Sequence, residues 1–200
     1  MKYYDTIYKE NSNFCGGKPN KLLLKIYKKL PKKAEFLDLG CGQGKDAFFM
    51  SSKKFNVTAI DSSKVAIEQI KEKHKKKKYK NLKAICQNIK KFTIKPKKFF
   101  VINSANSLQF LNKKDSLSVI RKIKKNIIPG GFVIIISFTD KNPPSKRRKS
   151  CFEKNEMKKI FSDFKIIYYF EGLVIDRGHI GQPEPHKHGI VKIIAKKLNN

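Results

Sequence analysis

Short apolar runs separated by amphipathic stretches set the organisation of the chain. Phe36 to Leu39, Val57 to Ile60, Leu82 to Cys86, Phe99 to Asn103 and Phe132 to Phe138 read as strands. The last is near-continuously apolar, as expected of a strand buried on both faces. Between them lie helical patterns. Leu22, Leu23, Leu24, Ile26, Tyr27 and Leu30 predict a helix stopped at Pro31, and others are predicted over 45–52, through Val65 to Ile70, and over 116–126. Ser62 or Ser63 is placed to cap the helix through Val65. A further helix is predicted near 153–161, followed by two late strands, Lys165 to Phe170 and Gly189 to Lys196. Those strands flank a loop carrying three of the four histidines. The alternation predicts one α/β domain over 1–200: a doubly wound, mostly parallel seven-stranded sheet with an antiparallel C-terminal edge hairpin.

Residues 1–20 are polar and aromatic (Tyr3, Tyr4, Tyr8, Phe14) and end in Gly16-Gly17-Lys18-Pro19-Asn20. They read as an N-terminal arm or short helix, either a lid hinged at Lys18-Pro19 or a segment packed on the sheet edge.

The chemistry-bearing stretch is Glu35 to Gly44, E-F-L-D-L-G-C-G-Q-G, in which a strand runs into Asp38 and a glycine-spaced turn. The second strand ends in Asp61. Glycines that let backbone approach a ligand, with an acid at the end of the next strand for a ribose hydroxyl pair, describe a nucleotide-type pocket at the carboxyl edge of a parallel sheet. There is no G-K-[ST] ending, which excludes a phosphate-cradling loop.

Charge changes this picture less than its size suggests. The formal net charge is +30, from 46 Lys plus Arg against 16 Asp plus Glu, enough to attract polyanions. The bases are overwhelmingly Lys and occur in nearly every segment, so a generic basic surface is favoured over a nucleic-acid site. Cys15, Cys41, Cys86 and Cys151 lack C-x-x-C spacing, and no signal peptide is evident. Free thiols in a reducing cytoplasm follow. The longest apolar run is far too short to span a bilayer, and no membrane partner is expected.

On these residues the stretch from about 16 to 197 resembles the class I S-adenosylmethionine-dependent methyltransferases. Phe36-Leu-Asp-Leu-Gly-Cys-Gly-Gln-Gly44 matches their first motif, and Pro129-Gly130-Gly131-Phe132 matches the turn that opens their fifth strand. The resemblance implies S-adenosylmethionine as cofactor. It places Asp38 at the methionine ammonium, Gly40, Cys41 and Gly42 beneath the cofactor, Asp61 on the ribose hydroxyls and Ser62 against the adenine face. Asn88 and Ile89 fall around the adenine, where Asn replaces the family's usual Asp, and Ser104 falls near the methionine part. Phe100 stands where an Asp is frequent.

The C-terminal half, Tyr168 to His179, then Gln182 to Gly189 and Ile193 to Lys196, is similar to the tellurite-resistance and thiol-methyltransferase-like branch. That similarity implies a small, anionic or thiol-like methyl acceptor. His179 and His186 are then the catalytic candidates, and Arg177, His188 and Asn106 the acceptor-binding ones. Each histidine also has an ordinary reading as a hydrogen-bonding loop residue. His186 and His188 would share a face on an extended strand and could bind metal, but no metal site is expected. The Asn/Asp-Pro-Pro-aromatic tetrad of amino-methylating base modifiers is missing after the fourth strand. Asn142-Pro143-Pro144 follows the fifth and reads as a loop stiffener. The alternative is an RNA- or protein-directed methyltransferase that docks through its basic surface, with Lys146 to Lys149 as a basic loop.

Overall fold

A computed structural model describes residues 2–77, 80–142, 150–178 and 183–199. In chain order the elements are α1 (Lys2–Glu10), α2 (Lys21–Ile26), β1 (Glu35–Leu39), α3 (Lys45–Ser52), β2 (Asn56–Asp61), α4 (Lys64–Lys77) and β3 (Leu82–Cys86). Then come β4 (Val101–Ala105), α5 (Lys113–Asn126), β5 (Phe132–Phe138), α6 (Glu156–Ile160), β6 (Phe164–Asp176) and β7 (His186–Lys197). The sheet has seven strands in the order β3-β2-β1-β4-β5-β7-β6. The first five pair in parallel, while β7 runs antiparallel to both β5 and β6. This is the doubly wound sheet with an antiparallel edge hairpin that the alternating pattern predicts, and the Rossmann-like methyltransferase fold that the family resemblance implies.

Strand parity fixes what each face carries. Phe36, Val57, Ala59 and Val101 point to one side, packed with Leu22, Leu23, Met50, Ile67 and Ile70 from α2, α3 and α4. Leu37, Leu39, Ile60 and Ile102 point to the other, with Val119, Ile120, Ile123 and Met157 from α5 and α6. Burying such residues on both faces, each by about 1.5–3 kcal/mol, holds the layers together. By the same alternation Asp38, Asp61 and Asn103 share the α2–α3–α4 face.

Local chemistry sets the boundaries. Asn20 Oδ1 accepts from the backbone nitrogens of Leu22 and Leu23, both at 3.0 Å, and starts α2. The helix gives way to a 3-10 turn at Tyr27–Lys29, short of the Pro31 stop expected. Ser63 Oγ accepts from Ala66 N at 3.1 Å, so the second of the two candidate serines caps α4. The fourth strand lies two residues later than expected, at Val101–Ala105, because Phe99 and Phe100 pack ahead of the ladder. The late hairpin is longer than predicted: His186 and His188, expected in a loop, lie on β7 and pair with Asp176 and Val174 of β6.

Candidate functional site

The turn after β1 is built by backbone approach. Gly40 N and Cys41 N both donate to Ile60 O, at 2.8 and 3.0 Å, binding the turn to the end of β2. Gly40, Gly42 and Gly44 have φ of 73°, 51° and 82°, in the left-handed region that costs a side chain. A Cβ on Gly40 would stand 2.2 Å from the Cβ of Ser107, and one on Gly42 would stand 2.9 Å from Cys15 Sγ.

Asp38 sits under this turn, 2 % exposed. Its Oδ1 accepts from Asn103 Nδ2 at 2.8 Å, while its Oδ2 is buried with no hydrogen-bond partner among the described residues. The same Asn103 nitrogen lies 3.2 Å from Asp46 Oδ2. Asn20 closes the cluster: its Nδ2 donates to Asp46 Oδ2 at 2.7 Å and its backbone nitrogen to Asp46 Oδ1 at 2.8 Å. Burial, reinforced by the nearby Asp46 carboxylate, raises the Asp38 pKa, and the Asn103 hydrogen bond opposes the shift. A buried, partly unsatisfied carboxylate of this kind fits a cationic donor.

Asp61 closes β2. Its Oδ2 accepts from Gly42 N at 2.8 Å and its Oδ1 from Ser63 N at 2.8 Å. A carboxylate has about four lone-pair sites, so each oxygen keeps acceptor capacity for a hydroxyl. Burial raises its pKa, against the lowering effect of the backbone donors from Ser63, Gly42 and Ser62. Cys41 is 8 % exposed, and burial together with Asp61 and Asp38 pushes its thiol pKa well up.

The other candidates divide. Ser62 is half-buried beside Asp61, and Asn88 half-buried just beyond β3. Asn88 Oδ1 accepts from Lys90 N at 2.9 Å in a local turn, and Ile89 packs into the α5-side core. Ser104 lies within β4 on the face opposite Asp38, its hydroxyl 2.7 Å from that of Ser107. Asn106 is exposed with φ of 56°. Arg177 is exposed after β6. His179 lies outside the described residues, as do Gln182, Pro143, Pro144 and the Lys146 to Lys149 loop. His186 and His188 stand together, Nε2 to Nε2, at 2.9 Å.

The N-terminal arm lies across the glycine turn. Ser63 Oγ donates to Asp5 Oδ1, Gln69 Nε2 donates to Tyr8 O at 2.6 Å, and Gln43 Nε2 donates to Asn11 O at 2.7 Å. Tyr4 meets Phe110 edge-on at 5.1 Å, so the arm reaches from α4 to the turn after β4. Tyr8 is 6 % exposed, and burial, with help from Cys15 and Asp61, raises its phenol pKa. Asp46, Asn20, Asn103 and Gln43 were not singled out by motif reading, whereas Tyr8 was, as part of the aromatic arm. Strand parity could have found Asn103, since it follows Val101 by two positions.

A cavity of about 490 Å³ lies elsewhere, lined by Lys25, Lys29, Phe132, Lys165, Tyr168 and Lys196. Phe132 opens β5, so this cavity is at the amino end of that strand, away from the carboxyl edge that carries Asp38 and Asp61. Among the described residues no helix is long and apolar enough to cross a membrane.

A family model described as "Tellurite resistance protein TehB" matches residues 23–180. One relative, named "Probable S-adenosyl-L-methionine-dependent methyltransferase TehB" from Haemophilus influenzae, is 27% identical over 147 residues, covering 72% of this chain and 51% of that protein. An uncharacterised protein of Methanocaldococcus jannaschii is 31% identical over 143 residues, covering 72% of this chain and 53% of its own length. The chain thus spans about half the length of the curated relatives it matches. The crystal structure of TehB from Haemophilus influenzae superposes with a TM-score of 0.79 at 23% identity, covering 89% of this chain and 62% of that one.

Proposed function

The chain belongs to the TehB tellurite-resistance family, and on that footing we propose that it transfers a methyl group from S-adenosylmethionine to a small acceptor, anionic or thiol-like. One observation carries the reading. Asp38, buried and with one carboxylate oxygen unpartnered, and Asp61 share a face of the sheet on either side of the Gly40–Gly42 turn. Relatives support it: the Haemophilus influenzae protein bears a methyltransferase name, and a fold neighbour of TM-score 0.68 was solved with S-adenosylhomocysteine.

S-adenosylmethionine, when bound, supplies an electrophilic methyl group on a positively charged sulfur. The protein's part is binding, orientation and exclusion of water. Asp38 Oδ2 accepts from the methionine ammonium, a charge-assisted bond that offsets the cost of the buried carboxylate. Asn103 holds Asp38 in place and is itself within reach of Asp46. Asp61, already aimed by Gly42 N and Ser63 N, takes the ribose hydroxyls with its remaining lone pairs. Gly40, Cys41 and Gly42 give close backbone contact, and Ser62, Asn88 and Ile89 border the adenine. Residues 2–20 act as a lid, with Tyr8 over Gly42 and Lys18-Pro19 as hinge.

On the acceptor side Arg177, Asn106 and His179 remain the candidates. A thiolate or oxyanion needs binding charge rather than a base, which suits Arg177. His186, the other catalytic candidate, faces His188, so a general-base role would compete with that contact.

Incubation with S-adenosylmethionine and a panel of thiols, selenite and tellurite, reading S-adenosylhomocysteine formation, tests the reading. Turnover that depends on one of these acceptors and disappears in Asp61→Ala is expected. Turnover only with RNA or protein would overturn the small-acceptor assignment.

A further inference from the structure

The β6–β7 hairpin brings Asp176, His186 and His188 together at the end where its two strands are connected, with ligand atoms all within 4.8 Å of one another. Asp176 is the cross-strand partner of His186, and His188 lies two residues along the same face. His188 is 8 % exposed and rests against Phe138, the last residue of β5, with ring centroids 5.0 Å apart. The cluster therefore sits at the same carboxyl edge of the sheet as Asp38 and Asp61.

Each ring turns its Nδ1 to an oxygen. His186 Nδ1 is 2.8 Å from Glu184 O, a carbonyl that only accepts, so this nitrogen carries the proton. His188 Nδ1 is 3.0 Å from Asn142 Oδ1. Asn142 Nδ2 donates to Thr139 O at 3.1 Å and also to Gly189 O, which identifies Oδ1 as the acceptor facing the ring. His188 Nδ1 therefore donates. With Nδ1 as donor, Nε2 carries the lone pair whenever a ring is neutral, and the two Nε2 atoms face each other at 2.9 Å. Two lone pairs at that distance repel unless a cation lies between them. Asp176 Oδ2, 3.9 Å from His188 Nε2, adds negative charge to the same space.

We propose that Asp176, His186 and His188 form a binding site for a divalent first-row transition-metal ion. Two imidazoles and a carboxylate are a donor set used by zinc and by non-haem iron, and three protein ligands leave positions for water or another donor. The outer contacts match as well, since metal-bound imidazoles typically donate their other N–H to an oxygen that fixes the tautomer. For metal–nitrogen bonds of about 2.05 Å, the observed separation subtends about 90° at the ion, and about 0.4 Å of further opening gives a tetrahedral angle. The loop bearing Asn142 approaches β7 closely at Gly189, where a Cβ would stand 2.4 Å from Thr139 Oγ1. Metal binding at these three side chains can be read without cofactor.

The test is titration of the chelator-treated, thiol-reduced protein with Zn²⁺ by calorimetry, and with Co²⁺ by visible absorption, without cofactor. One equivalent should bind with a dissociation constant on the order of micromolar or tighter. His186→Ala and His188→Ala should each weaken it by at least about 100-fold, and Asn142→Ala by about 10–100-fold. Asp176→Asn, at a partly exposed strand end, keeps the fold intact, checked by its metal-free melting temperature, and should also weaken binding. No saturable uptake at millimolar metal would mean that the histidines share a proton instead, and would overturn the proposal. Uptake unchanged in the His186→Ala, His188→Ala double variant would overturn it equally.

Discussion

Asn103 Nδ2 donates to Asp38 Oδ1 at 2.8 Å, across 65 positions of sequence, and leaves the other carboxylate oxygen buried without a partner. That arrangement is unfavourable for the protein alone. Burial and the Asp46 carboxylate raise the Asp38 pKa above its unfolded value, so folding favours the protonated acid. The sign follows. Here the folded state holds its proton more tightly, and stability from this group falls as pH rises from the unfolded pKa towards the raised folded one. An ammonium ligand reverses the preference, so its binding releases a proton while Asp38 is still protonated.

Asp38→Asn removes the buried charge but keeps the shape. The melting temperature should stay level or rise at neutral pH, while affinity for S-adenosylhomocysteine falls at least tenfold, about 1.4 kcal/mol. In the wild type that affinity should increase with pH through the Asp38 transition, and in Asp38→Asn the increase should be lost. Calorimetry in buffers of different ionisation heat, compared with thermal melts, measures both.

Asn103→Ala should destabilise the protein by about 1–3 kcal/mol at neutral pH, because it leaves Asp38 and Asp46 with no shared donor. The loss should shrink in acid, where one carboxyl is protonated. Urea unfolding at neutral and acidic pH, with Asp46→Asn as the second arm of a double-mutant cycle, reads the coupling.

Gly40→Ala meets two obstacles: a φ of 73° and a Cβ placed 2.2 Å from that of Ser107. A loss of about 1–3 kcal/mol is expected, read as a lower urea midpoint at unchanged slope. Ser107→Gly should recover the steric part and leave the backbone part.

How much of this was legible before the structure depends on how local each cause is. β3 and β5 and the helix over 45–52 follow from short apolar runs and glycine turns, and their limits match. β4 slipped by two because Phe99 and Phe100 extend the apolar run beyond the ladder, and that slip placed Ser104 past the strand. Asp38 and Asp61 were readable because motif and strand end coincide. Asp46 and Asn20 were not, since each reaches the site through tertiary packing. Asn20, for example, reads as a helix cap while its amide also serves Asp46. The hairpin histidines looked like loop residues because the glycine and polar residues around them interrupt the alternating pattern.

The arm offers a dynamic test. It is held to the body by a few hydrogen bonds, the edge-on pair of Tyr4 with Phe110 at 5.1 Å and a small apolar cluster of Ile7 and Tyr8 with Ala66, so it belongs towards the low-stability end of the fold. Amide exchange over α1 should be fast in the free protein and slow on S-adenosylhomocysteine binding. Tyr8→Ala should speed ligand release several-fold, and no change in exchange on binding would count against a lid.

The most direct measurement is calorimetry of S-adenosylhomocysteine with the wild type and with Asp61→Ala. The account predicts one site in the wild type, and a loss of at least about 100-fold when the ribose-facing carboxylate is removed, within the 2–5 kcal/mol range for a buried charged hydrogen-bonding group. No detectable binding by the folded wild type, or equal binding by the variant, would contradict it.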